Sequence, residues 1–470
     1  MLKSSFRILT VLLATTIIAT GQVRHRIATT SSSAEEDREL LQESDFSFLG
    51  YYGDAETDSA WSEGFSFRYV SGTFRGMTAF LNTNFYLREF TLPASFSQNI
   101  TWRTIITTNV LMQNDDHIGI WYEQSAGRLW VSHSVDYPQA PFTGNEISSI
   151  YTLDVNDSDV ESNFQGYWGF TGVGQRSSFG AVRHVPSWFS SANTTGPYAV
   201  GFGGYASLSN MGLGPSYGPF LLFFPVLHGV YSTISYGATT GGLATDQFKI
   251  GGDYRSGTSS VDWFTDYNGR TFDRGARVTT NVVNWYDGND SRSNPTTRPT
   301  YPTDRSGTDE WWTGENGGAA PNDPDGYARF VWGDSFNSAW DWVDNDAGTR
   351  TRHGIIAIAS LAKDYAYYSS SSLTQDDTDY EIQIFDPAQV ALVLDGTIPG
   401  YKLRPTSAFS IRDILVANGI YTGGNNPNSA RIVGAAFDPA TNRLYIQWRS
   451  GGTSMPSFYS RFFVFEVAGS

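Results

Sequence analysis

The sequence predicts an all-β protein, and three observations lead there. From about residue 46 onward, short runs of Val, Ile, Phe, Tyr, Trp and Thr alternate with clusters of Gly, Pro, Asn, Asp and Ser. Glycines number 48 and prolines 19, enough to punctuate almost any helix of normal length. The stretch Gly119–Val131 also recurs in outline as Gly434–Ile446. Both copies read as strand, polar turn, then Arg-Leu-aromatic-β-branched. Phe67–Phe80 is a looser copy. Such a hairpin buries little by itself, and stacked blades in a ring give a continuous core without open edges. The expected architecture is therefore a β-propeller. About 425 folded residues at roughly 45–70 per blade give six to eight blades with long loop insertions.

Residues 1–21 read as a secretory signal peptide: Lys3 and Arg7 precede an apolar run from Ile8 to Ile18, and Ala19-Thr20-Gly21 supplies small residues for cleavage. The run falls short of the ~20 residues of a membrane span, and no other stretch is long enough. Residues 22–45 are polar, Ser/Thr-rich and acidic, as in a flexible tail or propeptide. Residues 46–470 are read as one β-propeller domain. Within it, Phe65–Val70, Gly76–Leu81, Arg103–Val110, His117–Tyr122, Arg128–His133, Phe220–Pro225, Gly354–Ala362 and Phe462–Val467 are expected strands. Two short helices are expected, Pro387–Leu394 after Asp386 and Ile411–Ala417 after Ser410, because each follows a good cap residue. Sequons at Asn99, Asn156, Asn193 and Asn289 point to a glycoprotein with exposed loops at those positions.

Composition narrows the partners. Acids outnumber bases 47 to 31, for a formal charge of −16 over 470 residues. Loss of Lys3 and Arg7 with the signal lowers this by two, to −18. Such a chain repels polyanions, which argues against nucleic acid and leaves neutral glycans, proteins and cations as partners. With no cysteine, disulfides, thiol catalysis and Cys-ligated metals are excluded.

The C-terminal third resembles a family of uncharacterised secreted β-propeller-like proteins. The resemblance rests on Arg352-His353-Gly354-Ile355-Ile356-Ala357-Ile358 leading to Tyr365-Ala366-Tyr367-Tyr368, and on Ile384-Phe385-Asp386-Pro387-Ala388-Gln389-Val390. It also rests on Arg431–Pro439 with Phe462–Val467 as the closing strand. Gly203–Ser207 with Gly214-Pro215-Ser216 fits the same pattern upstream. The resemblance implies fold and extracellular location, with no established reaction. Separately, Thr265-Asp266-Tyr267-Asn268-Gly269-Arg270-Thr271-Phe272 is similar to the Asp-box hairpin of sialidase-type propellers. Phe272 replaces its Trp, and Tyr267 stands where the Asp belongs. That hairpin is a peripheral turn and implies no catalysis.

No coherent catalytic signature stands out, so whether the chain is an enzyme stays open. Gly214-Pro215-Ser216-Tyr217-Gly218 matches Gly-x-Ser-x-Gly, but the strand-then-helix frame of a nucleophile elbow is missing. The histidines His25, His117, His133, His184, His228 and His353 form no metal motif. Five of them could gather at a propeller centre. Acidic turns are the better calcium candidates: Asp323 and Asp325, and Asp344 and Asp346, stand two apart before a Gly, a spacing that lets carboxylates converge on a hard cation. An ordinary solvated turn forms from the same residues.

The densest aromatic stretch includes Trp285, Trp311, Trp312, Trp340 and Trp342, the candidates for stacking on sugar rings. Aromatics at alternate positions also make blade cores. Asp309, Glu310 and Glu315 lie close to one pair of Trp, as a glycosidase would need two carboxylates. Residues 285–350 therefore carry the expected site. The leading reading is a secreted acidic binding or structural module for a glycan, matrix or protein ligand. The alternative is an extracellular carbohydrate-active hydrolase or lyase with its site in the central cleft.

Overall fold

The computed structural model describes residues 38–54, 61–81, 85–108, 117–134, 149–156, 168–169, 180–194, 196–201, 220–224, 241–242, 282–284, 339–369, 372–395, 397, 405–418, 430–450 and 459–469. In chain order it begins with β1 (Glu39–Leu40) and β2 (Phe46–Asp54), then β3 (Trp61–Val70), β4 (Thr73–Leu81), β5 (Phe85–Thr91), β6 (Asn99–Ile100) and β7 (Arg103–Thr108). There follow β8 (His117–Glu123), β9 (Arg128–Ser134), β10 (Ser149–Asp154), β11 (Trp168–Gly169), β12 (Val182–His184) and helix α1 (Ser187–Asn193). Next come β13 (Tyr198–Gly201), β14 (Phe220–Phe224), β15 (Gly241–Gly242), β16 (Val282–Asn284) and β17 (Trp340–Val343). The remainder comprises β18 (Arg352–Ser369), β19 (Ser372–Phe385), α2 (Pro387–Leu394), β20 (Ser407–Ser410), α3 (Arg412–Ala417), β21 (Ala430–Asp438), β22 (Arg443–Ser450) and β23 (Tyr459–Val467).

These strands form five sheets, each a blade. Blade I is β3-β4-β5-β7; blade II is β8-β9-β10-β11, with β15 added in parallel; blade III is β12-β13-β14-β16. Blade IV is β17-β18-β19-β20, and blade V is β21-β22-β23-β2 with β6 at its rim. The first strand of each blade lies innermost. β3 touches β8, β8 touches β12, β17 touches β21, and β21 returns to β3. β12 meets β17 where Trp340 Nε1 donates to Ala181 O at 2.9 Å. The inner strands thus close a five-membered ring, which is a β-propeller. The expected count of six to eight blades is corrected to five. Strands run long, as in β18 with 18 residues, and residues 285–338, between β16 and β17, lie outside the described residues.

The internal repeat now has a physical meaning. Its two copies are the inner hairpins of blades II and V, and the leading glycines, Gly119 and Gly434, sit where adjacent inner strands press together. A Cβ on Gly434 would lie 2.5 Å from Phe65 N, and one on Gly119 2.5 Å from Ala181 N. Closure comes from pairing the chain's early strand with its last one: β2 runs antiparallel to β23 from Phe46↔Val467 to Gly53↔Arg461. Apolar cores fill the spaces between blades, one between I and II around Met77 and Leu129, another between IV and V around Ile382 and Phe463.

Both expected helices form. Asp386 Oδ1 accepts from Ala388 N at 2.8 Å to start α2, and Ser410 Oγ accepts from Arg412 N at 3.1 Å to start α3. Of the polar segment 22–45, only residues 38–45 are described. Residues 38–45 are a strap on blade IV: Glu39 N donates to Thr351 O at 2.9 Å and Leu41 N to His353 O at 3.0 Å. Leu41, at 0% exposure, belongs to the core between blades IV and V.

Candidate functional site

The axis of a propeller is where inner-strand side chains could gather, so the site is built from there. β12 places Arg183 at the centre with its side chain fully buried. Nε donates to Trp340 O at 3.2 Å, Nη1 to Ile120 O and Val182 O at 3.2 and 2.9 Å, and Nη2 to Ala435 O at 2.5 Å. One guanidinium therefore ties together the inner strands of blades II, III, IV and V. Its counter-charge is Asp341, 3.3 Å away with 14% of its side chain exposed. Asp341 Oδ2 also accepts from Phe437 N at 2.9 Å. Burial pushes the Asp341 carboxyl above its ordinary range, and the Arg183 guanidinium pulls against that. At this level the axis is a rivet of charge whose hydrogen bonds are spent on backbone.

A second carboxylate bridges blades II and III. Glu123, at the end of β8, accepts from Trp130 Nε1 and from Tyr198 OH, both at 2.9 Å. Burial first, then that hydrogen bond, pushes the Tyr198 phenol upward.

The acidic turn after β17 behaves differently from the calcium expectation. Asp344 is buried: Oδ2 accepts from Trp188 Nε1 at 2.9 Å and pairs with the Arg38 guanidinium, and Oδ1 accepts from Asn345 N at 2.8 Å. Arg38 lies over the Trp188 ring, 4.7 Å from its centroid. Asp346 turns elsewhere, its Oδ1 accepting from Ser187 N at 2.8 Å. The two carboxylates do not converge, and an arginine already holds the first, so the calcium assignment at Asp344 and Asp346 is corrected. Among the described residues no group of three or more His, Asp or Glu could hold a metal. Asp323 and Asp325 lie outside the described residues.

The aromatic candidates divide in the same way. Trp340 and Trp342 are core residues, Trp342 packing on Phe189 with ring centroids 5.1 Å apart. Their assignment to a sugar-stacking surface is corrected, because neither ring has a free face. Trp285, Trp311 and Trp312 lie outside the described residues. So do Ser216, Asp309, Glu310, Glu315, His25, His228 and the Asp-box-like residues 265–272. The remaining histidines start from scattered backbone positions. His117 begins β8 and His184 ends β12, at opposite ends of two adjoining inner strands, while His133 and His353 lie on second strands. His353 packs its edge on Trp188 at 5.8 Å. Burial and then Arg38 hold its imidazole down to about 4.

One polar cluster was not anticipated from sequence. Blade I carries Arg68, Arg75, Glu89, Thr91 and Arg103 on the face it turns toward blade II. Glu89 is buried, and its Oε2 accepts from Arg68 Nη2 at 2.9 Å and Nε at 3.2 Å. Its Oε1 pairs with Arg103, whose side chain is 67% exposed. Arg75 stands directly across from Arg68 and Thr91 in the ladder. It donates to the Thr91 hydroxyl, while its buried Nε has no hydrogen-bond partner. The available signal was compositional: residues 61–108 hold four arginines and two glutamates in a chain that is otherwise strongly acidic.

No family model matches the sequence, and no curated protein matches it. Among solved structures, the chain is similar to the parainfluenza virus 5 hemagglutinin-neuraminidase ectodomain at 9% identity and a TM-score of 0.31, covering 92% of this chain and 87% of that one. It is similar to the Bombyx mori GH32 beta-fructofuranosidase at 10% identity and a TM-score of 0.34, covering 88% and 61%. A polysaccharide lyase is similar at 6% identity and a TM-score of 0.27, covering 86% and 78%. Similarity at this level carries no functional argument, and the propeller stands on the ring of inner strands alone.

Proposed function

We propose that the protein is an extracellular β-propeller that binds a ligand, a glycan before a matrix or protein partner. The observation that carries this reading is the filled axis. Arg183 and Asp341 close the centre with bonds to backbone, which makes the described ring a scaffold. Binding then falls to the connections between blades, as is usual for rigid β scaffolds. The connection 285–338 holds Trp285, Trp311 and Trp312 for ring stacking, with Asp323 and Asp325 as the calcium candidates. Among the described residues no helix is long and apolar enough to cross a membrane. The test is a glycan array with the full chain, alongside pull-down from extracellular matrix. Trp311→Ala with Trp312→Ala should weaken glycan capture at least tenfold at unchanged Tm. Absence of any glycan, matrix or protein partner would remove the reading.

A carbohydrate-active hydrolase or lyase is the second reading, and one placement favours it. Glu63 on β3 and His117 at the start of β8 lie toward the same end of two adjoining inner strands. New reducing ends, or the ultraviolet absorbance of an unsaturated uronate, released from a polysaccharide panel and lost in Glu63→Gln would decide for the enzyme.

A further inference from the structure

Charge arithmetic singles out the face that blade I turns toward blade II. Three guanidinium groups, Arg68, Arg75 and Arg103, stand on this face beside one buried carboxylate, Glu89, which pairs with Arg68 and Arg103. The shared strand β5 explains the crowding. Glu89 and Thr91 are two residues apart on it, so both point to the same side of the sheet. Arg103 reaches Glu89 from β7, and Arg75 reaches Thr91 from β4. Both guanidinium groups therefore lie over the same face of β5. Arg68 is taken up by Glu89, by Asn156 Oδ1 at 3.2 Å, and by the Tyr122 ring beneath it. Arg75 has only the Thr91 hydroxyl. Its cross-strand neighbour is Arg68, and like charges directly opposite in a ladder repel. The acid nearest in sequence on blade II is Asp154, whose Oδ1 accepts from Asn156 N at 2.9 Å.

We propose that this face of blade I is a binding site for a carboxylate-bearing sugar, with Arg75 and Arg103 gripping the carboxylate. A planar carboxylate matches the guanidinium fork in two parallel bonds, which a tetrahedral anion does less well. Thr91 offers its hydroxyl to the sugar beside it. The site is open, since Thr91 and Arg103 are exposed. It rests on the glycan-binding reading above and adds an acidic sugar class that the net charge of the whole chain would disfavour. The local excess of two positive charges outweighs that general repulsion at contact distance, because the long-range field is screened within ~8 Å at physiological salt.

The test is a titration of the full chain with sodium glucuronate, with glucose as neutral control and sulfate as tetrahedral control. Wild type should bind glucuronate in the millimolar range and glucose not measurably. Affinity should fall at least threefold when salt is raised from 50 to 500 mM. Arg75→Gln and Arg103→Gln should each weaken glucuronate at least tenfold, with Tm unchanged or raised for Arg75→Gln, because the repulsion from Arg68 is relieved. Arg75→Lys, which keeps charge and loses the fork, should recover only part of the affinity. It also serves as the readout if the Gln variant does not fold. Glucuronate binding no tighter than glucose, equal binding by the variants, or sulfate binding as tight as glucuronate would overturn the proposal. Retained capture of neutral glycans by Arg75→Gln would show that such a failure belongs to this site and not to glycan binding as a whole.

Discussion

Two charged clusters, the axial pair and the arginines of blade I, differ in how far their chemistry is already spent. At the axis each of the three nitrogens of Arg183 donates to a backbone carbonyl, and Asp341 supplies one counter-charge to one cation. On blade I, two cations share the Glu89 carboxylate, and the third, Arg75, has no carboxylate and keeps a buried nitrogen without a partner. The first arrangement holds the ring together and has nothing left for a ligand. The second holds less together than its charges could. A cluster that is complete within the chain reads as scaffold; one that is incomplete reads as a place for something else.

The comparison breaks most sharply at the axis. Arg183→Met should cost about 3–5 kcal/mol, because it leaves Asp341 buried without its cation. Chemical denaturation measures it. Pairing it with Asp341→Leu should return part of the loss, since two apolar side chains leave no stranded charge. A loss under about 1 kcal/mol in the single variant would mean that the axial pair holds nothing.

Leu41→Ala should cost about 2–4 kcal/mol by emptying its place between blades IV and V. Gly434→Ala should cost about 1–3 kcal/mol, because the new methyl meets the blade I backbone. If Gly434→Ala were neutral, the tight approach of β21 to β3 would be disproved.

The pH dependence of stability tests the strap. His353 is held down to about 4 in the folded chain against an ordinary 6.5, by burial and then by Arg38. Between those values the unfolded chain binds a proton that the folded chain refuses. Stability should therefore fall as the pH drops from about 6.5 to about 4, by about 1–2 kcal/mol after allowing for solvent at the partly buried ring. The Asp344 carboxyl, raised mainly by burial, works in the opposite sense as it takes up its proton. Urea midpoints across this range should flatten in His353→Gln, and an unchanged slope would rule His353 out. The smallest effect is expected on blade I, where Arg75→Gln should leave stability within about 0.5 kcal/mol or raise it. A clear loss there would make Arg75 part of the scaffold and erase the contrast with the axis.

Much of the fold was legible in the sequence, and the reasons are local. The repeat starting at Gly119 and Gly434 marks inner hairpins because only a glycine fits where neighbouring blades touch. Asp386 announces its helix through cap chemistry. The blade count was not legible, since a residue total divided by an average cannot see how long each strand runs, as in the 18 residues of β18 and the 14 of β19. The sites were less legible still. Trp340 and Trp342 alternate with Asp341, a pattern shared by a buried inner strand and by an exposed sugar-stacking ribbon. Asp344 and Asp346 have the spacing of a cation loop, and only Arg38, far away in sequence, shows that the first of them is already held. Arg183, inside Ala181-Val182-Arg183-His184-Val185, carries a signal of its own: a charge in the middle of an apolar strand must find its partners inside the protein.

The pairing of β2 with β23 has a consequence for how the molecule can be cut and rejoined. Ala468 N donates to Asp45 O at 2.9 Å, so the two ends of the described fold are neighbours. A short linker joining Asp45 to Ala468, with the strap 38–44 omitted, and new termini opened between Thr108 at the end of β7 and His117 at the start of β8 would give a circular permutant with every blade intact but no longer stitched from two distant pieces. Blade V would then be continuous in sequence. Loop-closure entropy would be lower and folding faster, at the cost of the contacts that the strap makes with blade IV. In the natural order, by contrast, the ring stays open until β23 is available, and the outer edge of blade V waits for nearly the whole chain.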